Sequence, residues 1–148
     1  EQFGFYMPAE RCPDSEQIPQ EFAELQEIMQ ELDAELTIPR FPEGFEPSDT
    51  MLSYLPNNST LKFSIMYQRG EEYYIFDVNW NDNNIINRYE KDENLVETCT
   101  YSNIKHYILS NTNNNAVAWY VGKTEHYVIS NGTISDLKEL LEFTYEVK

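Results

Sequence analysis

Residues 116–145 read AVAWYVGKTEHYVISNGTISDLKELLEFTY, and their pattern decides the fold. Val117, Trp119 and Val121 alternate with Ala118 and Tyr120, the period-two pattern of a strand. Gly122-Lys123-Thr124 interrupts it. Tyr127 and Ile129 then resume the alternation, with His126, Val128 and Ser130 on the other face. Asn131-Gly132 ends the strand, because Asn and Gly tolerate the positive φ of a sharp exit. Ser135 is placed to cap a helix with its hydroxyl, and Asp136 lies at the positive helix end. Leu137, Leu140 and Leu141, with Thr144 or Tyr145, repeat at helical spacing. Two strands, a tight turn and an amphipathic helix follow one another without a break.

Working outward, strands are expected near 96–101 and 104–110, separated by Ser102-Asn103, with a loop from Asn111 to Asn115. Residues 81–95 form a polar excursion rich in Asn and Asp. Upstream, Leu61, Phe63, Ile65 and Tyr67 alternate with Lys62, Ser64 and Met66. Arg69-Gly70 turns the chain, and Tyr74, Phe76, Val78 and Trp80 alternate again, which predicts a hairpin. Residues 37–49, TIPRFPEGFEPSD, read as an extended connector. Ile18, Phe22, Leu25, Met29, Leu32 and Leu36 make an unbroken apolar stripe of helical spacing. Asp14 or Ser15 is placed to cap that helix, with Pro19 in its first turn. Residues 1–14 read as an irregular arm. The order predicts an α+β fold: an antiparallel meander of about six strands with an N-terminal and a C-terminal helix on one face. Residues 1–37 hold the acidic arm and amphipathic helix, residues 38–148 the sheet domain, and the two form one compact unit.

The chain of 148 residues is long enough for one real core. Its formal net charge of −16 argues against nucleic acid and anionic membrane surfaces, because phosphate binding needs Lys and Arg. The acidity is concentrated: residues 1–49 hold 13 acidic and 2 basic residues. Glu24, Glu27 and Glu31 lie on the helix faces opposite the apolar stripe, as a solvated face or as a docking surface for a basic partner. No run approaches the roughly 20 apolar residues that cross a bilayer. Residue 1 is Glu, which suggests a trimmed product with any export signal or membrane anchor upstream.

No cofactor, metal or catalytic set is expected. The two histidines, His106 and His126, fall inside strands with no partner motif, and a half-exposed surface position is the simpler reading of each. Cys12 and Cys99 form no zinc pattern, and both a long-range disulfide and two free thiols stay open. Asp77, Asn79, Asn81 and Asn83 alternate as in the start of a calcium loop. The pattern then fails at Asp82, where Gly is needed, and at Arg88, where Glu is needed, so an Asn-rich turn is expected. Asp77 is the first acid to inspect for a carboxylate-pair hydrolase, although alternation places it outward with Asn79. Tyr73, Tyr107 and Tyr120 fall opposite the apolar sets of their strands. They form a candidate binding face for a sugar or peptide, unless they only stabilise the sheet or lie under a helix.

The stretch from Glu97 to Phe143 resembles the C-terminal half of a family of unknown-function domains from Gram-positive bacteria. Its matching pieces are the strand–turn–strand of Thr98 to Leu109, the strand with Val117 and Trp119, the strand with Tyr127 and Ile129, and the helix start at Ser135-Asp136-Leu137. Pro42, Gly44 and Phe45 match a proline-bracketed entry, so the resemblance covers about residues 38–145. It implies the extracytoplasmic part of a membrane-anchored protein or lipoprotein, some with an anti-sigma-factor-like cytoplasmic segment, and implies no catalytic residues. The expected function is therefore a non-enzymatic extracytoplasmic sensor or binding module for a protein or small ligand. The membrane would be reached only through an anchor upstream of residue 1. The alternative is a cytoplasmic acidic inhibitor or immunity-type protein, whose binding to a basic partner charge reversal of the first helix would abolish.

Overall fold

Alternation in residues 60–81 becomes two long strands whose inward side chains are Leu61, Phe63, Ile65 and Tyr67, then Tyr74, Phe76, Val78 and Trp80, all buried. The computed structural model describes residues 19–82 and 89–146. Within them lie seven strands: β1 (Glu46–Leu55), β2 (Thr60–Arg69), β3 (Glu72–Asn81), β4 (Leu95–Tyr101), β5 (Ile104–Ser110), β6 (Asn115–Val121) and β7 (Thr124–Ser130). They form one antiparallel sheet in the order β1-β2-β3-β7-β6-β5-β4. The α+β class and the antiparallel sheet are as the sequence predicts, with one strand more than expected.

The additional strand is β1, whose first residues overlap the connector expected over 37–49. Pro47 and a register shift at Asp49 break its alternation, and Asp49 takes a positive φ of 39°. Such a bulge puts two residues opposite one, so the period-two signal is lost. The sheet is also two meanders rather than one: β1–β3 and β4–β7 are joined edge to edge by the pairing of β3 with β7.

Two helices lie on one face. A 3-10 turn at Gln20–Phe22 leads into α1 (Ala23–Glu31), and α2 runs from Ile134 to Glu146. Phe22 packs on Phe63, Tyr67 and Phe76, with ring centroids 5.6, 6.4 and 6.1 Å apart. Leu137, Leu140 and Leu141 of α2 belong to the same core, with Val117, Trp119 and Val128.

The apolar stripe predicted helix through Leu36, yet α1 stops at Glu31. The N–H groups of Asp33 and Ala34 bond back to the carbonyls of Gln30 and Met29 at 3.1 and 2.9 Å. Asp33 takes a φ of 55°, completing a Schellman turn with Asp where Gly is usual. Leu32 and Leu36 still pack on the core, Leu36 from the irregular segment that follows the helix. The predicted caps Asp14 and Ser15, and the arm before them, lie outside the described residues.

A smaller core forms on the other face. Tyr107, Leu109, Ala116 and Ala118 are buried there beneath Tyr89, which sits in a 3-10 turn at Tyr89–Lys91. Tyr89, near the end of the polar excursion, thus covers this part of the second face.

Candidate functional site

The β7–α2 junction shapes one wall of the cleft that we take as the candidate site. Asp136 N–H donates to Thr133 Oγ1 at 3.1 Å, and Thr133 N–H donates to Asp136 Oδ2 at 2.9 Å. This reciprocal pair is a capping box, so Thr133 rather than Ser135 caps α2. Asn131 ties the junction to the β2–β3 turn: its Oδ1 accepts from Tyr73 N–H at 3.0 Å and its Nδ2 donates to the Glu71 carbonyl at 2.7 Å.

Between α2, that turn and the connector lies a cleft of about 480 Å³. The connector contributes Arg40, Pro42 and Phe45, and the turn contributes Arg69, Glu72, Tyr73 and Tyr74. Residues 130–132 and 136–146 supply the remaining wall, including Asp136, Glu139, Glu142, Phe143 and Glu146. The volume falls in the range of small-molecule sites.

Both arginines are held in place. Arg69 lies over Phe45 at 4.3 Å, donates to Glu72 Oε1 at 2.8 and 3.1 Å, and donates to the Glu43 carbonyl at 2.9 Å. Arg40 lies over the Phe143 ring at 4.5 Å, while its backbone N–H donates to Thr144 Oγ1 at 2.9 Å. Tyr74 is the floor, packed against Phe41 and Phe45 with centroids 5.5 and 5.1 Å away. Only 5% of Tyr74 is exposed, and burial pushes its phenol up to about 12. The carboxylates of Asp136, Glu72 and Glu139 add to that shift, against Arg69. The hydroxyl therefore stays a donor at neutral pH.

The histidines lie elsewhere and are buried, not half-exposed as expected. Register places His106, Trp119 and His126 in one cross-strand row. Trp119 sits between the two rings, with centroids 4.8 and 4.9 Å away. His106 Nδ1 donates to the Ile104 carbonyl at 2.8 Å, leaving Nε2 to accept from the Tyr145 hydroxyl at 2.9 Å. His126 Nε2 accepts from Thr37 N–H at 3.0 Å, which places its proton on the buried, unpartnered Nδ1. Burial pulls His106 down to about 4, against its bond to Ile104. Burial pulls His126 down to about 3, against the nearby backbone of Trp119 and Thr124 and with a smaller push from His106.

Of the candidate tyrosines, only Tyr73 lines the cleft. Tyr107 and Tyr120 do share the second sheet face with it, but Tyr107 is 3% exposed and both pack against Tyr89 rather than under a helix. Glu24, Glu27 and Glu31 are exposed along α1, away from the cleft. Asp77 is not a freely solvated carboxylate, since its Oδ1 is buried and has no hydrogen-bond partner. Asp77, Asn79 and Asn81 lie within β3, and a strand spreads alternate residues instead of wrapping them round an ion. No cluster of three or more His, Cys, Asp or Glu side chains placed to hold a metal ion occurs among the described residues. Asn83 and Arg88 lie outside those residues. Cys99 is a half-buried free thiol, and Cys12 also falls outside them.

Sequence reasoning missed Arg40, Phe143 and the acids of α2, because they converge only when the connector crosses beside that helix. Tyr73 on the sheet, with Pro42 and Phe45 of the connector, gave the visible signal. Compared with protein-family models, curated proteins and solved structures, the chain matches none.

Proposed function

We propose that this chain is a non-enzymatic binding module of a membrane-anchored or secreted bacterial protein, holding its ligand in the cleft beside α2. One observation carries the reading: a cleft of about 480 Å³ is walled by arginines already fixed over phenyl rings, and its floor is a buried tyrosine. Such a site is organised before a ligand arrives, which reduces the ordering cost of binding. The extracytoplasmic placement rests on the resemblance of residues 38–145 alone. Exposure of Glu24, Glu27 and Glu31 on α1 favours the second reading, an acidic inhibitor that masks a basic partner.

A fragment screen followed by amide NMR of the full chain tests the cleft. Hits are expected to shift Tyr73, Asn131 and residues 139–143 together, and Phe143→Ala is expected to weaken them about tenfold, as loss of an aromatic wall does. Shifts confined to α1, or no shifts at all, would refute it.

A further inference from the structure

We infer that the cleft accepts a linear aliphatic polyamine, its ammonium groups held by the α2 carboxylates and the Tyr74 hydroxyl. The inference rests on the reading of the cleft as a binding site and adds the class of ligand. Charge comes first. Five acidic side chains face the cleft against two basic ones, an excess of three negative charges. Arg69 is already paired with Glu72 over Phe45, which leaves Arg40, lying over Phe143, as one positive charge against the remaining four acids. Glu139, Glu142 and Glu146 have no ion pair among the described residues. Clustered like charges without counter-charges repel one another, and an incoming cation relieves that repulsion.

Tyr74 supplies an independent observation. The residue is 95% buried, since 5% of it is exposed, and its hydroxyl has no hydrogen-bond partner among the described residues. The charged groups that act on it, Asp136, Glu72, Arg69 and Glu139, all line the cleft. Its oxygen is thus a lone-pair acceptor for an ammonium N–H in a negative surrounding.

Spacing selects the shape of the cation. The carboxylates are too dispersed to enclose an ion, and no group of three metal-ligating side chains occurs among the described residues. Glu139 and Glu146 are seven residues apart on one helix, a separation of about 10 Å along its axis, with Glu142 between them. A flexible chain with ammonium groups at intervals of a few methylenes matches that row. Its methylenes would lie along Phe143 and Leu140, as an amphipathic stem does on apolar surface.

The test is calorimetric titration of the full chain with spermidine at low and at physiological salt. One-to-one binding is expected, weaker at higher salt. Glu139→Gln/Glu142→Gln/Glu146→Gln is expected to weaken it at least about tenfold, and Tyr74→Phe several-fold with unchanged circular dichroism. Glu35→Gln/Glu46→Gln/Glu93→Gln removes the same charge from exposed positions outside the cleft and is expected to change affinity less than about twofold. Equal weakening by both triple variants would reduce the effect to net charge and overturn the inference. Binding of oligolysine without spermidine would overturn it too. If spermidine fails while neutral or anionic fragments shift the cleft amides, the polyamine inference falls and the binding site stands. If nothing shifts them, both fall.

Discussion

His126 holds the connector to the sheet through one bond, from Thr37 N–H to Nε2, and that bond needs a neutral ring. Burial puts the folded pKa near 3, against 6.5 ordinarily. Below pH 6.5 the unfolded chain therefore takes up a proton that the folded one does not. Stability falls as pH falls, by up to about 1.4 kcal/mol per pH unit, until the folded ring protonates near 3. His106 contributes in the same sense down to about 4. The denaturation midpoint is expected to drop between pH 7 and 5. The drop should be about half as steep in His126→Phe, which keeps a ring against Trp119 and removes the titration. Equal slopes in the two proteins would refute this. Both histidines were legible as strand residues, but their burial was not. Tyr127 and Ile129 look like the apolar set of β7, yet the face that meets the main core carries His126 and Val128. Period-two alternation gives two faces without saying which one the helices cover.

At the scale of elements, the hairpins were the clearest reading and the element ends the least clear. Residues 104–110 match β5 at both ends, and Ser102 and Asn103 take the positive φ values of 53° and 66° that a two-residue hairpin demands. The extent of α1 was not legible, because Leu32 and Leu36 continue the apolar spacing after Asp33 has turned the backbone. Packing keeps a stripe going where the helix does not. The cap of α2 shows the same limit, since Thr133 and Ser135 are both plausible caps and only the reciprocal bonds to Asp136 distinguish them. Thr133→Ala is expected to cost about 1 kcal/mol. Ser135→Ala, at an exposed position inside the first turn, should stay within about 0.5 kcal/mol. Urea denaturation of the two variants separates them, and a larger loss for Ser135→Ala would return the cap to Ser135.

Across the whole molecule, charge and topology dominate. With a formal net charge of −16, the chain repels itself most where it is most compact. Raising NaCl from about 0.05 M to about 0.5 M is expected to raise the melting temperature, because screening shortens from roughly 14 Å to 4 Å. An unchanged or lower melting temperature would show that attractive pairs such as Lys138–Glu97 and Lys123–Asp82 outweigh the repulsion. The cleft was barely readable beforehand because its walls come from positions about a hundred residues apart, as Arg40 beside Phe143 illustrates. The join between β3 and β7 has a consequence in time as well as in space. Asp77 waits for Tyr127, fifty positions later, and neither meander has its neighbour until that strand exists. A ribosome that has released residues up to 121 has supplied six strands and no seam. The growing chain must keep two half-sheets apart and unaggregated until the seventh arrives, and closing that long-range pairing is the slow step such a topology imposes.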